Sequence, residues 1–203
     1  MTGRKASEAE RREQIVSAAY AVAQHAGISG LTLRAVAARA HLSHGLVLFH
    51  FKRKDNLVRA VLHRVIASTM VLQMRDEIEA IPSAADRLHG LLRCEVERLA
   101  REPRQMRLFL EYLALGARDR GIRRIVSAAV ERYREGFRTL AEEVLRAGPG
   151  AVPDVTPDGL AAVAMSVING GAAQAMLDPR GFDVEAYVHA GRGLIDRFAA
   201  TTA

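Results

Sequence analysis

The chain has 203 residues, 49% hydrophobic and 26% charged, enough for one good-sized domain or two small ones. No uninterrupted apolar run of some 18 residues is evident and the opening MTGRKASEAERREQ is polar, so a transmembrane or secreted protein is not expected and a cytoplasmic one is; the single cysteine, Cys94, excludes an internal disulfide. The net charge of +6 sits almost wholly in residues 1–60, which carry ten Lys/Arg against four Asp/Glu, the layout of a nucleic-acid-binding head on a neutral body.

Helical periodicity runs nearly throughout, so the expected class is all-α. Ser7 is placed to cap a first helix, with Glu10 completing a capping box. Ile15, Ala19, Val22 and Ala26 are its expected buried stripe, and it should end near Gly27. Thr32 and Ser43 are expected N-caps of two short helices. Val36, Ala37 and Ala40 share a face of the first; Val47 and Phe51 share a face of the second, and Leu42 plugs the turn between them. Two short helices around a tight turn describe a helix-turn-helix over about residues 32–51, whose second helix enters the DNA major groove. A fourth helix is expected from Lys54 to about Ala80, before Pro82. Amphipathic helices follow, broken at Glu102-Pro103 and between Gly116 and Gly121, one of them running from about Ile122 to Arg146. GPGAVPDVTPDG, residues 148–159, reads as a loop. Two last helices are expected over Pro157–Leu177 and Val184–Thr201. The predicted organisation is a three-helix DNA-binding domain over 1–53, a connecting helix over 54–80, and a helical bundle for ligand binding and dimerisation over 81–203.

Within the head, Arg34 has the chemistry to fork onto guanine O6 and N7 or to clamp a phosphate. His44, Gly45, Leu46 and Leu48 fall on the exposed turns of the recognition helix. There Gly45 permits close backbone approach and the leucines suit thymine methyl groups. Thr32, Ser43, Lys52 and Lys54 suit phosphates, and His50 can donate a ring N–H. His41, His44 and His50 have no matching Cys or carboxylate cluster, so neither a metal nor a cofactor is expected. No phosphate loop, nucleophile elbow or HExxH is present, and no enzyme is expected.

With these residues laid out, the chain resembles the TetR family of bacterial regulators. The family pattern runs roughly T-x-R-x-I-A-x-x-A-G-V-S-x-G-x-L-Y-x-Y-F-x-S-K-E-x-L. Thr32, Arg34, Ala37, Ala40, Ser43, Gly45, Phe51, Lys54 and Leu57 match it directly, while Val36, Leu42, Val47 and Asp55 are near substitutes. The turn glycine is replaced by His41, at a position that usually requires positive φ. The usual tyrosine pair is replaced by Leu48, Phe49 and His50. Similarity is firm over about residues 10–65, and VINGGAAQAMLDPRGFDVEAY looks like the dimerisation helices of the BetI-like subgroup.

The resemblance implies a homodimeric repressor, released from a palindromic double-stranded operator by a small-molecule effector of unknown identity. Phe109 with Tyr112, and Tyr133 with Phe137, are spaced to share helix faces and could wall a ligand pocket with Met106, Met165 and Asn169; the same spacing also suits core packing. The subgroup would suggest a quaternary ammonium ligand, which aromatic rings can cage. The expected dimer surface combines Leu160, Ala164, Val167 and Gly171 with Tyr187, Ala190, Gly191, Leu194, Ile195 and Phe198. Two alternatives remain open: a sequence-tolerant architectural DNA-binding dimer, and a helical-bundle carrier or enzyme with a vestigial DNA-binding head.

Overall fold

The computed structural model describes residues 7–67, 78–147 and 154–199. Among these every regular element is a helix: α1 (Glu8–Gly30), α2 (Leu33–Ala40), α3 (His44–Phe51), α4 (Lys54–Ala67), α5 (Ala84–Arg101), α6 (Pro103–Gly116), α7 (Arg120–Ala147), α8 (Pro157–Leu177) and α9 (Val184–Ala199). The expected all-α class is what the chain adopts.

The starts of the helices are written locally. Ser7 and Glu10 form the capping box at the start of α1, each side chain bonded to the other's backbone N–H. Thr32 and Ser43 accept from Ala35 N and Leu46 N, and Thr156 caps α8 with Pro157 in its first turn. In α1 the buried row is Ile15, Ala19, Ala23 and Gly27, spaced by four; Val22 is only half-buried and Ala26 is exposed, unlike the stripe expected from the sequence. Gly27 breaks the helix with φ +71°, a conformation natural to glycine. The carboxylate of Glu111 fills the space where a side chain would stand and accepts the Ile28 N–H at 2.7 Å.

The chain divides into two compact units. One contains α1–α4 together with Leu108–Ile125, which is the end of α6 and the start of α7. Its core includes Ile15, Leu31, Val36, Val47, Phe51, Leu57, Leu62, Leu108, Tyr112 and Ile122. Here α4 is no mere connector: Leu57, Val58, Val61, Leu62 and Val65 are buried, and the helix packs on α1 and α3. Of the expected 54–80 helix, residues 68–77 lie outside the described residues. The head thus recruits sequence from beyond residue 81, because Tyr112 donates its hydroxyl to the Val58 carbonyl at 2.7 Å and Glu111 braces Ile28.

The other unit holds α5, the first part of α6, the remainder of α7, and α8 and α9. Within it α5 lies against both α8 and α9, burying Leu88, Leu92, Val96, Leu160, Ala164, Ile168, Ala172 and Val188. By length and composition α8 does reach what a membrane span requires, contrary to the sequence expectation. Its eight buried residues nevertheless pack in this unit, as a core helix does.

Candidate nucleic-acid interface

The turn between α2 and α3 is built by backbone chemistry. His41 takes the left-handed conformation, φ 54° and ψ 44°, as the missing turn glycine requires. Its N–H donates to Ala38 O, and the next N–H, of Leu42, donates to Ala37 O at 2.9 Å. This pair of bonds closes the end of α2 and turns the chain sharply into α3. Gln14 of α1 adds a clamp, its amide donating to Ala40 O at 3.0 Å.

From α3, Val47 and Phe51 point into the core while His44, Gly45, Leu48 and Phe49 are exposed and Leu46 and His50 are half-buried. Arg12 of α1 lies over the outer face of Phe51, 5.0 Å from the ring centre. Thr32, Arg34, Ser43, Lys52 and Lys54 are all exposed on the same unit. The candidates named from sequence all lie in this unit, on α2, α3, their N-caps and the segment that leads into α4. Thr32 and Ser43 also serve as caps, so their hydroxyls are already oriented toward backbone N–H groups.

The exit from α3 is strained. Lys52 sits at φ 58° and ψ −48°, with Arg53 N–H donating back to Phe51 O in a γ-turn. The Asn56 amide donates to the same carbonyl at 2.8 Å, holding the start of α4 against the end of α3. Lys54 Nζ donates to Ser29 O at 3.2 Å. A non-glycine residue at positive φ is costly and persists where surrounding bonds over-determine it. Here the result is three consecutive cations, Lys52, Arg53 and Lys54, exposed at the end of the recognition helix.

The profile of "Bacterial regulatory proteins, tetR family" matches residues 15–61, and that of "BetI-type transcriptional repressor, C-terminal" matches residues 84–200. The chain belongs to the TetR family, with a BetI-type C-terminal region. The HTH-type transcriptional regulator BetI of Paraburkholderia phymatum is 25% identical over 193 residues, covering 95% of each protein. A transcriptional regulator of Pseudomonas aeruginosa PAO1 shares the fold with a TM-score of 0.81 at 21% identity, over 96% of this chain and 93% of that one. A regulator from Saccharomonospora viridis, solved in complex with choline, has a TM-score of 0.74 at 19% identity, over 93% and 97%. This TetR-family chain is therefore a DNA-binding transcriptional regulator and not an enzyme.

The six residues expected to line an effector pocket are divided between the units. Phe109 and Tyr112 fall in the DNA-binding unit although the BetI-type match runs over them, whereas Tyr133, Phe137, Met165 and Asn169 fall in the other unit, the BetI-type unit that holds most of that match, as does the buried Met106. Tyr112 is fully buried with its hydroxyl engaged on α4, and burial raises its pKa. It is a packing residue of the head. Tyr133 and Phe137 do come together, ring centres 5.3 Å apart, and Met165 is buried and Asn169 half-buried on α8.

Sequence reasoning missed Glu95, a carboxylate only 1% exposed. Its Oε2 accepts from Arg98 Nη2 at 2.9 Å and from the Tyr133 hydroxyl at 3.1 Å, joining α5 to α7. Burial, followed by the adjacent Glu95 charge, holds the Tyr133 hydroxyl well above its ordinary pKa. A signal existed: Glu95 interrupts the apolar row Leu88, Leu92, Leu99 at helical spacing.

Of the expected dimer residues, Leu160, Ala164, Gly171 and Ile195 are already buried within the chain. Gly171 leaves room for the Tyr187 ring, whose hydroxyl donates to Val167 O at 2.7 Å. Gly191 is half-buried, and the side chain of Phe198 lies outside the described residues. The faces of α8 and α9 left open carry Val163 and Leu177, and Ala190 and Leu194, respectively; Leu194 is 55% exposed.

Proposed function

We propose that this TetR-family regulator is a homodimeric repressor that a small molecule releases from a palindromic operator. One observation carries the reading: α6 and α7 each have one part in the DNA-binding unit and another in the BetI-type unit. A ligand that shifts α6 in the BetI-type unit acts on the same continuous helix whose Glu111 and Tyr112 brace Ile28 and Val58 in the head. It needs only a few kcal/mol of preference between two states to weaken operator binding by orders of magnitude.

The proposed effector site is in the BetI-type unit around Tyr133 and Phe137, with Met165 and Asn169 as further candidates. Aromatic rings such as this pair suit a cation, and the choline complex of the Saccharomonospora viridis regulator makes a quaternary ammonium the first ligand to test. Thr32, Arg34, Ser43, His44, Gly45, Leu46, Leu48, His50, Lys52 and Lys54 are the proposed DNA contacts. The dimer is assigned to the open faces of α8 and α9.

The test begins with a duplex selected from randomised DNA and an unrelated duplex as competitor. Fluorescence anisotropy should show strong preference for the selected duplex and its release by millimolar choline. Equal affinity for both duplexes would favour an architectural binder. Undiminished binding in choline would remove the quaternary-ammonium assignment.

A further inference from the structure

Phe49 is 63% exposed, the only exposed phenylalanine or tyrosine among the described residues. It lies on α3 directly opposite Val47 and Phe51, which anchor that helix to the core. Nothing within the head requires a large apolar ring there. Gly45, one turn earlier on the same face, is also unexplained by the fold. A Cβ built on it would meet nothing within 4 Å and its backbone is helical, so alanine would fit and would favour the helix. The outermost line of the recognition helix thus runs from a bare glycine to an exposed ring to the Lys52 cation. The ring is held in place: the Lys52 ammonium lies 4.9 Å from its centre, and the His50 ring meets it edge-on at 5.3 Å and 85°.

We propose that Phe49 is a specificity-determining residue that covers a thymine 5-methyl group in the major groove. The proposal rests on the DNA-binding reading of the head. A phenyl ring offers neither donor nor acceptor, and among base-pair edges only the thymine methyl gives it an apolar complement. Gly45 lets the helix backbone approach closely enough for the ring to reach the base edge. Lys52, stacked on the ring, brings its charge to the adjoining phosphate, so the base contact and the backbone contact are made by one rigid group.

The experiment uses the full-length protein and the duplex enriched from randomised DNA. Each thymine is replaced in turn by deoxyuridine, which removes only the methyl group. Wild-type affinity should fall about fourfold per site, the effect of one buried carbon, at one thymine or its symmetry mate and little elsewhere. Phe49→Ala, at an exposed position that should leave the melting temperature unchanged, should lose affinity for the parent duplex and become indifferent to that substitution. Phe49→Leu, which restores apolar contact, should recover part of the discrimination. Equal responses of wild type and Phe49→Ala to every deoxyuridine, or no response in either, would overturn the proposal. A pool that yields no enriched duplex would overturn the DNA-binding reading and the proposal with it.

Discussion

Arg34 and Lys54 are both exposed cations of the head, yet among the described residues only Lys54 is tied back to the chain, through Ser29 O. That bond fixes where its charge sits without giving it a base to read. Lys54→Ala should weaken binding to every duplex alike and lower the slope of log K against log salt by about two, one for each protomer of the dimer. Arg34→Ala should cost about 1–3 kcal/mol on the selected duplex and far less on random DNA; equal losses on both would make Arg34 a phosphate contact. Tyr112 carries the opposite message. Its spacing from Phe109 suits a ligand wall, but the hydroxyl is committed to Val58 O inside the head. Tyr112→Phe should cost about 1 kcal/mol of stability, the worth of one buried hydrogen bond, measured by urea unfolding. Effector affinity should be unchanged; a weakened effector affinity at unchanged stability would return it to the pocket.

The helices themselves were legible from sequence wherever their signals are local. Ser7, Thr32 and Ser43 cap where expected, because a cap depends on residues three positions away. His41 takes up positive φ because the turn bonds to Ala37 and Ala38 leave no other route. What sequence could not show are choices made over long separations. Glu95 finds Tyr133 across 38 positions. On α8, alanine and glycine make nearly every face apolar, so the pattern alone does not say that Leu160 and Ala164 turn inward and Val163 outward. The packing of α5 against α8 and α9 also leaves a small enclosed space lined by His89, Leu92, Val167, Tyr187 and Arg192, into which the unpaired Nε2 of His89 is buried. Burial, then Arg192 and Arg93, lower the pKa of His89 against the opposing pull of Asp196 and Asp86. The folded chain therefore holds His89 neutral where the unfolded chain would take up a proton. The associated stability is fully present above the ordinary histidine value of 6.5 and is lost as pH falls through and below it. Urea midpoints should drop between pH 7.5 and 5.5, and His89→Leu should shrink that drop; an unchanged drop would assign the acid sensitivity to other groups.

For the whole molecule, dimerisation and DNA binding are expected to fail together. Leu194→Glu, on the open face of α9, should give folded monomers with operator affinity collapsed, as read by light scattering and anisotropy. Leu160→Glu, on the inward face of α8, should instead unfold the BetI-type unit. A folded, dimeric Leu194→Glu protein would move the interface elsewhere. The brace at Gly27 reaches further still. The N–H of residue 28 waits for a carboxylate 83 positions later, and the carbonyl of residue 58 for a hydroxyl 54 positions later. During synthesis the helix-turn-helix leaves the ribosome long before either partner does, so the nascent head cannot complete its core until more than half the chain has been made. Completion of the head's core is thereby deferred until Glu111 and Tyr112 have emerged, and a fragment that stops short of them lacks both of these bonds.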